Sequence, residues 1–207
     1  MRLNQVKEKY DSLAHYYDKR WEGYLEATHK VAIELLKPKA DDTILDASGG
    51  TGLLSEKIIP TLGNRGQIFL IDISDTMTAI AKDRLEQFDN IMISRQDVNK
   101  LDFPENFFSK ILCVNAFHYY SNPHQVLTNF YRILKPDGRL IIVDWCRDSF
   151  HFKAYNFLLK YLSKSHVKIY TSKEFKDLLD NAKFILEELT PFSYGLWRLT
   201  GLGARKV

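Results

Sequence analysis

Long apolar runs are missing from this sequence, and cysteine is scarce. No stretch reaches the roughly 18 to 20 apolar residues that a membrane-spanning helix needs, which argues against an integral membrane protein. Only two cysteines are present, Cys113 and Cys146, and both lie in or beside apolar runs. Such residues do not suggest a disulfide framework, so we expect a soluble protein of a reducing compartment, the cytoplasm.

A strong excess of one charge is also missing. The 207 residues include 29 Lys and Arg against 26 Asp and Glu, a formal net charge of +3, and the basic residues are scattered. Proteins that bind nucleic acid concentrate their basic residues on one element, so no nucleic-acid partner is predicted. No Cys/His spacing typical of a metal site is visible either, and no metal is predicted.

The residues that are present suffice for one hydrophobic core. Hydrophobic residues make up 45% of the chain, and no internal repeat, low-complexity tract or linker divides it. At this length one domain, residues 1–207, is the expectation. Within it, residues 1–36 are predicted to form one or two helices that precede the first strand.

Apolar runs alternate with helical patterns through the middle of the chain. Five of the runs read as strands, and helices are predicted between several of them, with Ser74 and Asn122 as N-caps and Pro123 at a first helical position. The strand segments are "DTILDAS", "GQIFLIDIS", "NIMISRQD", "FSKILCVNAF" and "GRLIIVDW". Strands rich in Ile, Leu and Val that are separated by helices indicate a parallel sheet covered on both faces.

The C-terminal part of the sequence breaks this alternation. A helix with a Thr171–Glu174 capping box is followed by two strand-like runs, "KFILEELTPF" and "YGLWRLTGLGARK". The link between them is too short for a crossover helix, so these strands are expected to pair antiparallel. The predicted fold class is therefore α/β: a Rossmann-like, seven-stranded, mostly parallel sheet with helices on both faces and a C-terminal antiparallel hairpin.

Three successive strands end in an aspartate. Asp46 precedes the small residues of the first strand-to-helix turn, Asp72 ends the second strand and Asp97 follows the third. In doubly wound sheets, ligands bind outside the carboxyl ends of the strands, and glycines in the first turn let a ligand approach the backbone. A carboxylate in the position of Asp72 can hold both hydroxyls of a ribose. The pattern predicts one ligand with a sugar and several donor groups.

Two ligands fit this description: a dinucleotide and S-adenosylmethionine. A dinucleotide fingerprint requires a third small residue, but the sequence from Gly50 reads Gly-Thr-Gly-Leu-Leu-Ser and misses that position. Asp46 would also place a negative charge near a pyrophosphate, whereas it suits the ammonium of a methionine moiety. S-adenosylmethionine is therefore favoured, and a nicotinamide-dependent oxidoreductase is kept as the less favoured alternative.

At this point the motifs resemble those of a known family. The segments "ILDASGGTG", "IFLIDISDTM", "SRQDVNKLDFPENFFSKILCVNAFHY" and "ILKPDGRLIIVDW" are similar, in order and spacing, to class I S-adenosylmethionine-dependent methyltransferases. The similarity is to the small-molecule branch that includes the ubiquinone/menaquinone C-methyltransferases. The opening "YDSLAHYYDKRW" resembles that branch's N-terminal helix, which covers the cofactor. The C-terminal pair agrees with the family's seventh strand, which is inserted between the fifth and the sixth.

The resemblance implies a set of cofactor-binding residues. Asp46 would face the methionine moiety, Asp72 would hold the ribose hydroxyls and Asp97 would accept from the adenine amino group. The complete set is Tyr17, Asp46, Ala47, Ser48, Gly50, Gly52, Asp72, Ile73, Met77, Asp97, Val98 and Asn115. Ser48 departs from the family pattern, because a glycine is usual there. A serine adopts a positive φ less freely, which could weaken binding, or its hydroxyl could add a hydrogen bond.

The sequence contains fewer signals for the methyl-acceptor site than for the cofactor site. His118, just past the fourth strand, is the candidate general base, although a histidine that only packs in the loop explains the residue equally well. Residues 148–170 are rich in aromatic residues and Lys, and by resemblance they would cover the acceptor site. This favours a small apolar or aromatic acceptor, with membrane contact possible but not favoured. O- or C-methylation is expected rather than N-methylation, by a monomer or homodimer. A non-catalytic adenosylmethionine-binding protein is the other alternative.

Overall fold

The structure, a computed structural model, describes residues 2–148 and 168–207. Most of the predicted acceptor cover, residues 149–167, lies outside the described residues. The described helices are α1 Arg2–Arg20, α2 Glu22–Leu36, α3 Leu53–Ile58, α4 Asp75–Arg84, α5 Pro123–Ile133 and α6 Ser172–Asn181. The strands are β1 Thr43–Ala47, β2 Gln67–Asp72, β3 Ile91–Arg95, β4 Phe108–Val114, β5 Leu134–Trp145, β6 Phe184–Tyr194 and β7 Trp197–Lys206.

The seven strands form one sheet in the order β3-β2-β1-β4-β5-β7-β6. Strands β1 to β5 pair in parallel, whereas β7 pairs antiparallel with both β5 and β6. The predicted fold class is confirmed, including the insertion of the last strand between β5 and β6. Because β1, β2 and β4 are adjacent and parallel, their carboxyl ends meet at one edge, where the strand order reverses.

Side chains of the central strands alternate between two apolar layers. On one face Leu45 and Ile142 pack in a cluster that includes residues of α5 and α6. On the other face Ile44 and Ile141 pack in a cluster that includes residues of α2, α3 and α4. Burial on both faces explains why these strands read as continuous apolar runs in the sequence.

The predicted helix caps are confirmed. The Ser74 hydroxyl accepts the Met77 amide at the start of α4, and the Asn122 side chain accepts the Gln125 amide at the start of α5. Both bonds of the capping box between Thr171 and its third helical residue are present. Polar side chains that satisfy free amides fix where these helices begin, so their starts can be read from sequence.

Two local features differ from the predictions. The apolar spacing of "TGLLSEKIIPTL" predicts a helix over 51–62. The observed helix is shorter, because Gly52 at φ +79° delays its start and the chain tightens into a 3-10 turn at Ile59–Thr61, which contains a proline. The Pro-Asp-Gly sequence at 136–138 predicts a turn that leads into the fifth strand. In the structure it lies within β5, where the pairing with β4 shifts register and Asp137 has φ +59°. Neither difference changes the strand order.

Helices α1 and α2 are the two helices predicted for the N-terminal segment. Helix α2 packs against β4, β5 and β7, and α1 lies against α4. At Gly201 of β7, an added Cβ would lie 2.7 Å from Val31 and Leu35 side-chain carbons of α2, so glycine permits this close packing. Within the described ranges, no helix has the length and apolarity required to cross a bilayer.

A buried ion pair holds the α2–β1 connection against β4. The Lys110 ammonium lies 2.6 Å from the Asp42 carboxylate and donates to the Lys37 carbonyl, and both side chains are under 10% exposed. We expect Lys110→Met to lower the free energy of unfolding by about 3 kcal/mol, because it leaves the Asp42 charge buried without its cation. Urea unfolding measures the loss.

The double variant Lys110→Met/Asp42→Asn should recover part of that loss, since no uncompensated charge then remains. Lys173→Met is the matched control, because Lys173 forms an exposed pair with Asp177 and its removal should barely move the unfolding midpoint. Equal effects of the two lysine substitutions would show that the buried pair does not stabilise the connection.

Candidate active site

The turn after β1 is built from residues with positive φ. Ser48, Gly50 and Gly52 have φ of +63°, +56° and +79°. A left-handed conformation costs a serine roughly 1 kcal/mol, and here the Ser48 hydroxyl lies 2.9 Å from the Tyr120 hydroxyl, within hydrogen-bond distance. A serine in place of the usual glycine is expected either to weaken cofactor binding or to add a hydrogen bond, and this contact is an added hydrogen bond. The bond links the turn to the segment that follows β4.

Two carboxylates lie at the ends of adjacent strands, and neither has a cationic partner among the described residues. Asp46 is 2% exposed and accepts from the Ser55 hydroxyl at 2.7 Å. Asp72 accepts from the Gly50 amide at 3.0 Å and from the Ser74 amide at 2.9 Å. Burial raises the pKa of Asp46 to about 6, the negative charge of Asp72 adds to that rise, and burial also raises the pKa of Asp72. Neither carboxylate forms an ion pair with any residue in the described part of the chain.

These carboxylates line one cavity, which encloses about 1040 Å³ out to its open mouth. Its walls come from α1, α2, the glycine turn and the ends of β1, β2, β3 and β4. Ten of the predicted cofactor-binding residues line it: Tyr17, Asp46, Ser48, Gly50, Asp72, Ile73, Met77, Asp97, Val98 and Asn115. Ala47 and Gly52 do not. Ala47 is fully buried in the core, and Gly52 packs against α4, where an added Cβ would meet Leu85 at 2.7 Å.

The segment after β3 forms one end of the cavity. The Asp97 Oδ1 atom accepts from the amide and the side chain of Asn99, at 2.9 and 2.7 Å. Val98 is buried beside it, and Met77 of α4 is also buried. An acceptor carboxylate between apolar side chains can recognise a flat ring that carries an amino group.

Asn115 ties the end of β4 to α2. It has φ +58°, its amide donates to the Val143 carbonyl at 2.8 Å, and its side chain accepts from the Tyr24 hydroxyl at 2.8 Å. Its Nδ2 atom donates to the Thr28 hydroxyl at 2.9 Å. The Asn115 side chain is therefore bound to α2, and a contact of its main chain with the cofactor, which the family resemblance implies, stays a prediction.

Helix α1 covers the cavity with aromatic side chains. The Tyr10 ring contacts the rings of Tyr17 and Tyr119 edge-on, at centroid distances of 5.8 and 5.6 Å, and all three line the cavity. Burial raises the pKa of both Tyr10 and Tyr17, so both hydroxyls stay protonated and are available as donors. Sequence reasoning identified Tyr17 and missed Tyr10, one of the aromatic residues in the same opening segment.

Polar contacts fix α1 over the strand ends. Asp11 accepts from the Ser74 hydroxyl, and Asp18 accepts from the Thr51 hydroxyl at 2.7 Å and pairs with Arg84 of α4. The hydrogen bond from Lys7 and those from Ser74 and Thr76 lower the pKa of Asp11 to about 2, outweighing its desolvation. The cover is therefore attached to the same turn and helix start that present Asp72.

His118, the predicted base, lies outside the cavity lining. Its Nδ1 atom is 2.6 Å from the Asp144 carboxylate, which also accepts the His118 amide at 3.0 Å. The imidazole stacks on Trp145 at 4.6 Å, and Trp145 stacks on Trp197 at 5.0 Å. Since a carboxylate accepts hydrogen bonds, Nδ1 carries the hydrogen and Nε2 is the nitrogen that can take a proton. Neighbouring Tyr119, rather than His118, faces the cavity.

Sequence reasoning also missed His29. This residue of α2 lines the cavity, is 5% exposed and has no hydrogen bond to the described residues. Burial lowers its pKa to about 3, and the positive charge of Lys57 acts in the same direction. No signal in the sequence marks it, because only the tertiary packing of α2 brings this histidine to the strand ends.

Comparison with known proteins supports the family resemblance. Residues 44–138 match the family model described as "Methyltransferase domain". The ubiquinone/menaquinone biosynthesis C-methyltransferase UbiE of Pseudomonas fluorescens (strain Pf0-1) is 30% identical over 164 residues, which cover 75% of this chain and 64% of the relative. The chain is similar to S-adenosylmethionine-dependent methyltransferases of class I. It spans a little under two thirds of the length of that relative.

Solved structures agree on the fold. A SAM-dependent methyltransferase from Aquifex aeolicus aligns with a TM-score of 0.72 at 23% identity and covers 97% of this chain and 98% of that one. The [4+2]-cyclase SpnF aligns with a TM-score of 0.82 at 16% identity over 98% of this chain and 95% of that one. At these identities the likeness concerns the fold.

The residues of the cavity fit S-adenosylmethionine, the cofactor of this family. The cofactor combines positive charge with hydroxyl and amino donors, and the cavity offers carboxylates that have no cation of their own. The glycine turn leaves room as well, since a Cβ added at Gly50 would meet only the Met77 sulfur, at 3.9 Å. Among the described residues, no lysine or arginine lines the cavity. The charged side chains that do line it are carboxylates, which favour a ligand rich in hydrogen-bond donors.

The raised pKa of Asp46 predicts that the free energy of unfolding of the ligand-free protein depends on pH. Because its folded pKa of about 6 exceeds the ordinary 3.8, ionisation destabilises the folded chain progressively between these values, and the full cost is present above about pH 6. Asp46→Asn should therefore raise the free energy of unfolding at about pH 7.5, by on the order of 2 kcal/mol. The gain should shrink toward about pH 4.5.

Urea unfolding at both pH values, with and without the substitution, measures this difference. Asp102→Asn is the control, because Asp102 is exposed and its substitution should leave the pH dependence unchanged. A gain that is the same at both pH values would mean that ionisation of Asp46 is not its cause.

Proposed function

We propose that this protein transfers the methyl group of S-adenosylmethionine to a small apolar or aromatic molecule, at carbon or oxygen. One observation carries the proposal: Asp46 and Asp72 end adjacent parallel strands, line one cavity and have no cation partner in the described chain. A buried carboxylate beside a partly buried one is unfavourable without a ligand and complementary to a ligand that carries a cation and hydroxyl groups.

The proposed cofactor contacts follow from positions around the cavity. Asp72, held by two amides, would accept from the ribose hydroxyls, while Asp46 would face the ammonium of the methionine moiety. Asp97 would accept from the adenine amino group. The remaining lining residues would enclose the cofactor: Tyr17, Ser48, Gly50, Ile73, Met77, Val98 and Asn115. The bound cofactor supplies a methyl group on a positively charged sulfur, which is reactive toward an aligned nucleophile.

The tyrosines of the cavity support an apolar or aromatic acceptor. Tyr10, Tyr17, Tyr119 and Tyr120 all line it, and ring faces and edges favour flat or hydrocarbon groups. The name of the Pseudomonas fluorescens relative includes C-methyltransferase, which supports carbon as the atom methylated. Helix α1 would exclude water from the transfer by closing the cavity over these rings. A cytoplasmic location, and a monomeric or homodimeric state, remain predictions.

Cofactor binding is the first test. Calorimetric titration with S-adenosylmethionine and with S-adenosylhomocysteine should show binding in the micromolar range. Asp72→Ala should weaken it tenfold or more, because charge-assisted hydrogen bonds to the ribose are lost. Asp102→Ala, an exposed aspartate outside the cavity, should bind like the unmodified protein. A folded protein that binds neither compound would refute the proposed function.

Methyl transfer itself is the second test. Label from the methyl-labelled cofactor should appear in an apolar or aromatic acceptor when candidates are screened. Cofactor binding with no labelled product across such a screen would favour the alternative, a non-catalytic adenosylmethionine-binding protein.

The role of His118 as base is tested once an acceptor is found. We expect His118→Ala to lower kcat by roughly 10²-fold, as loss of a general base does. His124→Ala is the control, because His124 is exposed on α5. Unchanged turnover would exclude His118 as the base and leave methyl transfer intact.

A further inference from the structure

His29 is a buried, cavity-lining side chain that has no hydrogen bond to the described residues. It lies one turn after Leu25 on α2, and both side chains line the cavity. The Nδ1 atom is enclosed and has no hydrogen-bond partner in the described residues, and the ring is 95% buried. Buried polar groups are nearly always hydrogen-bonded, so an imidazole left unpaired beside a cavity points to a partner that is a ligand.

The charge state of His29 defines what it can offer that ligand. Burial lowers its pKa to about 3, and Lys57 of α3 adds to the shift, so the ring is neutral near neutral pH. A neutral imidazole has one N–H donor and one nitrogen acceptor. It can therefore donate to an anionic group without placing a second buried charge in the site.

Contacts of α2 and α3 indicate that His29 lies on the same side of the cavity as Asp46. The preceding residue, Thr28, accepts from Asn115 at the end of β4, and β4 is a neighbour of β1. Lys57, whose charge acts on His29, lies two residues after Ser55, which donates to Asp46. The histidine is thus at the β1–β4 side of the cavity, across β1 from Asp72 and the segment that follows β3.

We propose that His29 binds the carboxylate of the cofactor's amino-acid end, donating its ring N–H, while Asp46 faces the ammonium of the same end. This inference rests on the proposed function. It follows from the composition of the lining, which contains no lysine or arginine among the described residues. Among the described residues only neutral donors are available to a carboxylate in this cavity, and His29 is a buried one that has no hydrogen bond to another described residue.

Two ligands that differ only in the amino-acid end test this assignment. S-adenosylhomocysteine carries that end, whereas 5′-methylthioadenosine has the adenosine and the thioether without it. We expect His29→Leu to weaken S-adenosylhomocysteine about tenfold in calorimetric titration, the effect of one lost hydrogen bond to a charged group, and to leave 5′-methylthioadenosine unchanged. His29→Gln, which retains an N–H donor, should recover part of the affinity.

The stability of the ligand-free protein separates binding from folding. Because His29 makes no internal hydrogen bond, His29→Leu should leave the urea midpoint unchanged or higher. If the Leu variant does not fold, the Gln variant provides the same comparison between the two ligands. His15→Leu is the matched control, since His15 is exposed on α1 and outside the cavity lining, and it should change neither affinity.

Three results would overturn the assignment. Unchanged affinity for S-adenosylhomocysteine would exclude a contact with the amino-acid end. An equal loss for both ligands would show that His29 shapes the cavity rather than binding that end. Binding of neither ligand by the unmodified protein would be the failure of the proposed function itself, and it is recognised before any variant is made.

Discussion

The uncompensated negative charge at the carboxyl ends of β1 and β2 is the constraint on which the rest of this structure depends. Asp46 is buried and Asp72 is partly buried, the charge of Asp72 contributes to the raised pKa of Asp46, and neither has an ion-pair partner in the described chain. The fold tolerates them through fixed dipoles, since two amides and one hydroxyl point at their oxygens. The folded protein is therefore less stable without a ligand, and a cationic ligand that carries hydroxyl groups would restore that stability.

This constraint also explains why α1 is attached by polar contacts. The helix closes over the cavity through Asp11 and Asp18, which bond to the start of α4, the glycine turn and Arg84. Partly exposed ion pairs and hydrogen bonds contribute modestly and exchange readily with water, whereas an apolar interface of similar size would hold α1 firmly. A cover attached in this way can be displaced at a small cost in free energy, which suits a site that a cofactor must enter and leave.

Prediction from sequence succeeded where the signal is local or periodic. The strands, the caps at Ser74 and Asn122, and the carboxylates at strand ends were predicted because backbone chemistry fixes them within a few residues. The antiparallel pairing followed from one short link. Prediction failed where tertiary packing decides: nothing local shows that His29 of α2 and Tyr10 of α1 line the cavity. The orientation of the His118 ring toward Asp144 and Trp145 is likewise not visible in the sequence, and the role of His118 as base stays a prediction.

Ser48 shows how a serine can occupy a position at which the family usually has glycine. Its positive φ is the conformation for which glycine is usual, and the cost is offset by the contact with the Tyr120 hydroxyl. Tyr120 in turn lies 3.3 Å from the Cys113 sulfur of β4. Because a thiol is a weak acceptor, the better arrangement has Tyr120 donate to Ser48, which leaves the serine hydrogen free to point elsewhere. Ser48 lines the cavity, so a position that is usually glycine becomes a further neutral donor on a wall that has no cationic side chain.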